Sequence, residues 1–439
     1  MMPNPYYGVK NSWNDEISIR KEATMNRPTP STRKINVQFA AVQATYWICF
    51  FCLSGFMVVL LRKKAFSSSE IGILLAVQAI SSIFAQPIIS SFAENHRRIP
   101  LKYIVDAQVI VAMIMVFVLN FIGHSMIAAT LIFIVLGASI YSSLSLINAI
   151  AMQIANSGIA INYGTARGVG SLMFAVTGVI LGRLVVIFGV EIIIPAFILC
   201  AALSMLIVTM MYAPPVEQED QHEHAMKGGL FELISFFSRY RTFAGFCLAS
   251  TFLFANHAFL NTYIPDVVDR LGGNEYDQGL VRSIAAFVEL PIMALSALLV
   301  TRIKAKYLLI LSALFFAIKG LMTFFSGNLT MLFAVQLLQI PAYGLYLPLS
   351  VMFADRAVGN RDRVRAQAYV NVAGMGVGMV VGNLIGGVIL DHFSVSVLLF
   401  SSFISGMIGF AIMLAVLIRY RQPGETKLSG NSSPIVNET

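Results

Sequence analysis

The sequence is broken into about twelve runs of predominantly apolar residues, each close to the roughly 20 residues a helix needs to cross the hydrocarbon core of a bilayer. No other feature limits the fold as strongly. In hydrocarbon the backbone finds no water to bond, so each run must satisfy its own amides as a helix. The runs fall at 36–61, 70–92, 101–121, 126–152, 163–187 and 190–212, then at 243–264, 278–301, 306–325, 329–352, 365–390 and 396–418. Numbered as spans 1 to 12, they predict an all-α membrane protein. Composition agrees, since 12% of residues are charged and the mean hydropathy is +0.77, whereas soluble chains carry about 25% charged residues. A soluble enzyme is excluded.

One long polar stretch, 213–242, divides the spans six and six. The expected organisation is therefore a polar N-terminal tail at 1–35, a six-helix bundle at 36–212, a cytoplasmic linker at 213–242, a second bundle at 243–418 and a tail at 419–439. The first tail is expected to be disordered and to act as no signal peptide, with span 1 itself expected to serve as the insertion signal. The linker contains the mixed run Glu217 to His224, read as a solvated face rather than a metal site.

The net charge of +8 does not point to nucleic acid, because the basic residues lie between apolar runs and form no single patch. With both termini inside, about 22 of the 30 Lys and Arg fall on the cytoplasmic side and about six outside, mainly Arg62, Lys63 and Lys64. That bias favours both termini in the cytoplasm, and the expected location is the plasma or inner membrane. The four cysteines, Cys49, Cys52, Cys200 and Cys247, sit in apolar runs and read as packing residues, including the C-x-x-C. Ser67-x-x-Glu70 is a capping box for span 2. Gly374, Gly378, Gly382 and Gly386 clear one stripe of span 11 for a close neighbour.

Charge inside hydrocarbon costs a few kcal/mol, so an ionisable residue deep in a span calls for a partner or a wet cavity. Arg167, Glu289 and Lys319 meet that test. Glu289 lies near the middle of span 8, two residues before Pro291, and reaches neither surface. Lys319 on span 9 is antiparallel to it, and the two offer opposite charges across a cavity. Asn256, His257 and Asn261 on span 7 read as cavity lining, with Trp47, Gln43 and Tyr46 on span 1, Asn148 on span 4 and Gln339 on span 10. Asp106 reads as an interfacial ion pair with Arg97, Arg98 or Lys102. Polar side chains in both halves imply an aqueous site between them. No Walker-type phosphate loop and no selectivity-filter sequence occurs, so movement of a solute would draw on gradients, without a cofactor.

Asn162-Tyr163-Gly164-Thr165-Ala166-Arg167-Gly168-Val169-Gly170-Ser171 resembles the G-x-x-R-x-x-G-S/C signature that opens span 5 in the lactose permease-like and phenylpropionate permease-like branch of the major facilitator superfamily. Ser68-Ser69-Glu70-Ile71-Gly72, and Pro87 with Ala93-Glu94, resemble the two ends of that branch's span 2. The resemblance implies two pseudo-symmetric six-helix bundles, a substrate-binding role for Arg167, and a joint substrate and proton role for Glu289. Lys319 falls where the branch carries a span 9 Arg. Asn148 replaces an acidic sugar ligand, Leu337-Leu338-Gln339-Ile340-Pro341 lacks a His and Glu pair, and Glu94-Asn95-His96-Arg97-Arg98 lacks the glycine-bounded loop. These departures point away from galactosides.

The expected activity is secondary transport of a small polar solute, such as a sugar, glycoside or nucleoside, with protons, by a monomer. Substrate-binding residues are expected to be Arg167, Asn148, Trp47, Asn256, His257, Gln339 and Glu289, and proton-coupling residues Glu289 and Lys319. An aromatic or other organic carboxylate is the second expectation, because Arg167 without an acidic partner suits an anion. Drug efflux is the third. A sensor would carry a signalling domain, and a membrane enzyme an interfacial nucleophile, base or metal cluster; neither is evident in the sequence.

Overall fold

The computed structural model describes residues 31–96, 98–212 and 230–420. Expectations for the N-terminal tail, the Glu217 to His224 run, Arg97 and the C-terminal tail lie outside these residues. Eleven helices among the described residues are long and apolar enough to cross a membrane. Glu275–Arg302, a 28-residue helix, is span 8 and brings the long spans to twelve. All twelve fall where the apolar runs predict them. Buried side chains form one large cluster between Ile35 and Met211 and another between Phe236 and Leu417, so each bundle has its own interior.

Local sequence explains the ends and the breaks. Span 2 starts at the predicted capping box, with the Ser67 amide donating to Glu70 Oε2 (2.8 Å) and the Glu70 amide to Ser67 Oγ (3.2 Å). Span 5, Tyr163–Phe188, is capped by Asn162, whose side-chain oxygen accepts from the Thr165 amide at 3.1 Å. That cap fixes the phase of Arg167 in the second turn. Span 4 is interrupted between Met126–Ala138 and Ser143–Asn156, where serine hydroxyls bond backbone carbonyls. Span 10 tightens at Gln336–Gln339 and widens to a π-turn at Ile340–Gly344, because Pro341 has no amide to continue the α-ladder. Span 11 has a second π-segment at Val372–Gly378.

The glycine stripe of span 11 faces span 7. A methyl group on Gly382 would lie 2.4 Å from Ala258 Cβ, and one on Gly386 2.4 Å from the Tyr263 ring. The expected cytoplasmic linker departs from a purely solvated stretch at its end, where Leu230–Arg239 forms an amphipathic helix. Phe236 packs on Tyr369 with ring centroids 4.9 Å apart, and Glu232 pairs with Arg365 at the start of span 11. Apolar side chains at helical spacing overrode the polar average.

The two bundles meet chiefly on one side, where spans 1, 5, 7 and 11 end and spans 2 and 8 begin. There Arg62 pairs with Asp266 at 2.5 Å, and the Ser68 and Ser69 amides each donate to Asp391 at 2.8 Å. Gln278 donates to the Gly55 carbonyl (2.7 Å) and Ser283 to the Ala175 carbonyl (2.6 Å). Gly178 and Gly279 bring spans 5 and 8 into backbone contact, since a methyl group on Gly279 would lie 2.2 Å from the Gly178 oxygen. Toward the other side, the second part of span 10 and the first part of span 11 pack mainly within their own half. Between the halves the polar side chains Arg167, His257 and Glu289 stay partly exposed, and with the contacts concentrated on one side this marks a gap closed at that end.

Candidate functional site

Polar side chains from both bundles face this gap at mid-span. On the first half, the Arg167 guanidinium lies over the Trp47 ring, 4.0 Å from its centroid, and donates to Ser171 Oγ at 2.7 Å. Gly170 makes this possible, because a methyl group there would sit 2.5 Å from Trp47 Cδ1. The Trp47 indole donates to Gln43 (3.2 Å), Gln43 donates to Asn148 Oδ1 (3.4 Å), and the Tyr163 hydroxyl donates to the same oxygen (3.2 Å). A planar cation on an aromatic face, beside hydroxyl and amide groups, is a surface for a flat or ring-shaped polar solute.

The second half supplies a carboxylate and an ammonium. Lys319 is 4% exposed, so its stem does not reach out to the membrane surface, and its Nζ donates to Gln339 Oε1 at 2.5 Å. Gln339 in turn donates through Nε2 to Glu289 Oε1, also at 2.5 Å. Glu289 and Lys319 therefore interact through Gln339 rather than as the direct pair the sequence suggests. The tightened turn of span 10 aims Gln339 between them. His257 stacks on Tyr343, with centroids 4.6 Å apart and planes within 11°, and its Nδ1 lies 3.1 Å from Asn261 Nδ2. Tyr343 and Arg167 are within electrostatic reach of Glu289 from opposite sides of the gap.

Two expectations need correction. Asn256 is buried away from the gap, and its amide donates to the carbonyls of Phe316 (3.2 Å) and Ser402 (2.8 Å). It ties span 7 to spans 9 and 12, because one residue rotates a helix by about 100° and only His257 keeps the gap-facing phase. Asp106 accepts from the Thr209 hydroxyl at 2.9 Å, while Lys102 donates to the carbonyls of Thr209 and Met211. The span 6 terminus takes the lysine that the ion pair would have used.

The sequence reading missed two residues. Tyr343 follows Gln339 by one turn of span 10 and shares its face. Arg282 precedes Glu289 by seven residues, or two turns, and its Nη2 donates to the Asn261 carbonyl at 2.7 Å. The two-turn spacing was the available signal. Cys200 also reaches Cys52 across spans 1 and 6, and all four thiols are free.

Twelve spans in two bundles around a polar mid-span gap define a transporter of the major facilitator type, not an enzyme. The chain belongs to the MFS_1 like family, which matches residues 40–401. It is 24% identical to a maltose permease from Geobacillus stearothermophilus over 389 residues, which are 87% of this chain and 95% of that one. It is also 24% identical to an uncharacterized transporter, YwbF, from Bacillus subtilis over 257 residues, 58% of this chain and 62% of the relative. Among solved structures, the nucleoside transporter NupG superposes with a TM-score of 0.74 at 16% identity, over 88% of this chain and 100% of NupG. A bacterial homolog of the human lysosomal transporter Spinster, in an inward-facing conformation, superposes at 0.60 with 15% identity, over 89% and 96% of the two chains.

Proposed function

We propose that the protein, acting as a monomer in the plasma or inner membrane, imports a small hydroxyl-bearing solute by alternating access. A sugar, glycoside or nucleoside is the solute class, and a proton bound at Glu289 drives the import. The observation that carries this reading is the chain Lys319–Gln339–Glu289, placed across the gap from Arg167 on Trp47. A carboxylate held by one neutral amide can take up a proton without losing every partner, and the solute's hydroxyls can then bond the same groups. The maltose permease and nucleoside transporter relatives support the solute class.

With both termini cytoplasmic, as the Lys and Arg bias favours, the closed side faces outward and the gap opens inward. Alternating access then requires the Arg62–Asp266 pair and the Gly178–Gly279 contact to part while the cytoplasmic ends close. Arg167 orients the solute, Trp47 provides a face for its ring, and Asn148 with Tyr163 bonds its hydroxyls. A panel of radiolabelled sugars, sugar acids, glycosides and nucleosides in proteoliposomes tests the reading. An acidic exterior should drive accumulation of at least one, and a protonophore should abolish it; no accumulation of any member would refute it.

A further inference from the structure

Arg282 stands at the closed end of the gap, half-buried, and is short of partners for a guanidinium inside a membrane. Among the described residues it donates to a neutral acceptor, the Asn261 carbonyl, and its buried Nε–H has no acceptor. The same helix carries Gln278 and Ser283, which seal the gap against the first half, so Arg282 is at the floor of the opening. Across the floor lies Tyr141, in the break of span 4, within electrostatic reach of Arg282.

Charge accounting sharpens the point. Lys319 and Glu289 balance one another through Gln339. Arg167 holds a serine hydroxyl and an aromatic face, and the one carboxylate in its reach is Glu289, already shared with Lys319. Among the described residues of the site, three cations therefore face one carboxylate. An unbalanced guanidinium in a membrane interior is costly unless water or a ligand anion meets it. A guanidinium with free N–H groups fits a carboxylate through two parallel hydrogen bonds.

We propose that Arg282 binds an oxyanion of the transported solute, and that this solute is a polyhydroxylated carboxylate, such as a sugar acid, with its charged end at the floor of the gap. The inference rests on the gap being the solute site. Its carboxylate completes Arg282, while the hydroxyl-bearing ring lies between Trp47 and the Glu289 carboxyl.

The test is calorimetric titration of the purified full chain with matched pairs: glucose against glucuronate, and maltose against maltobionate. At least one acid should bind about tenfold or more tightly than its neutral partner, the gain expected of a charge-assisted pair. In Arg282→Gln that ratio should fall close to one, with the neutral partner's affinity changed by less than about threefold. Arg282→Lys should keep an intermediate preference, because the charge stays and the planar fork is lost. If Arg282→Gln does not fold, the lysine variant decides, and a full preference there overturns the assignment. Neutral sugars bound with no gain for their acids would overturn the inference and leave the transport reading intact. An acid preference that survives Arg282→Gln would remove Arg282 from the site. Binding of neither kind would overturn the solute reading and the inference together.

Discussion

The Glu289 carboxylate accepts a hydrogen bond from the Gln339 side-chain amide at 2.5 Å, and the oxygen of that amide accepts one from Lys319 Nζ, also at 2.5 Å. A neutral amide thus sits between a potential acid and a base. It lets the two charges feel each other without locking into a contact pair, so either can exchange partners as the bundles move.

Gln339→Leu should therefore destabilise the fold and uncouple it. Two buried polar groups lose their partner, a loss worth about 1–3 kcal/mol, read as a lower melting temperature in detergent. Proton-driven accumulation should fall more than solute binding does. An unchanged melting temperature would show that Gln339 joins nothing of consequence.

Arg167→Lys keeps the charge but loses the flat guanidinium that covers Trp47 and reaches Ser171. Solute affinity should weaken about tenfold or more, while membrane insertion and expression stay the same. Calorimetry showing equal affinity would leave Arg167 as a packing residue.

The seal between the bundles depends on glycines. A methyl group on Gly178 would lie 2.2 Å from Ser283 Oγ, so Gly178→Val should hold the bundles apart on that side. In intact cells, a membrane-impermeant maleimide should label Ser283→Cys faster in the Gly178→Val background than with Gly178 in place. Equal labelling would mean that this contact does not close the gap.

Topology is tested separately. Protease added to sealed right-side-out vesicles should spare tags fused at Met1 and Thr439, as the excess of Lys and Arg in the inward loops requires. Cleavage of either tag would reverse the assignment of the open side.

The fold was largely legible because hydrocarbon imposes a length and a composition on each span, and both are written in the sequence. Glu289 and Lys319 stood out for the same reason, as charges within apolar runs. Gln339 was visible as a polar residue, but not as the link between them, because that depends on the tightened turn before Pro341. Asn256 was misplaced because three polar residues close in sequence straddle two helix faces, and packing against spans 9 and 12 chose which one faces the gap. Arg282 is easily overlooked because it lies close to a span boundary. Its depth follows from how spans 1, 5 and 8 meet, which no single run encodes.

The claim that Glu289 carries the coupling proton is tested most directly by Glu289→Gln in proteoliposomes. The amide mimics the protonated carboxyl and releases no proton, so the cycle can exchange bound solute but not couple it to a gradient. The variant should support counterflow of labelled solute at a rate comparable to wild type, yet fail to accumulate it under an imposed pH gradient. Accumulation equal to wild type under the same gradient would contradict the account.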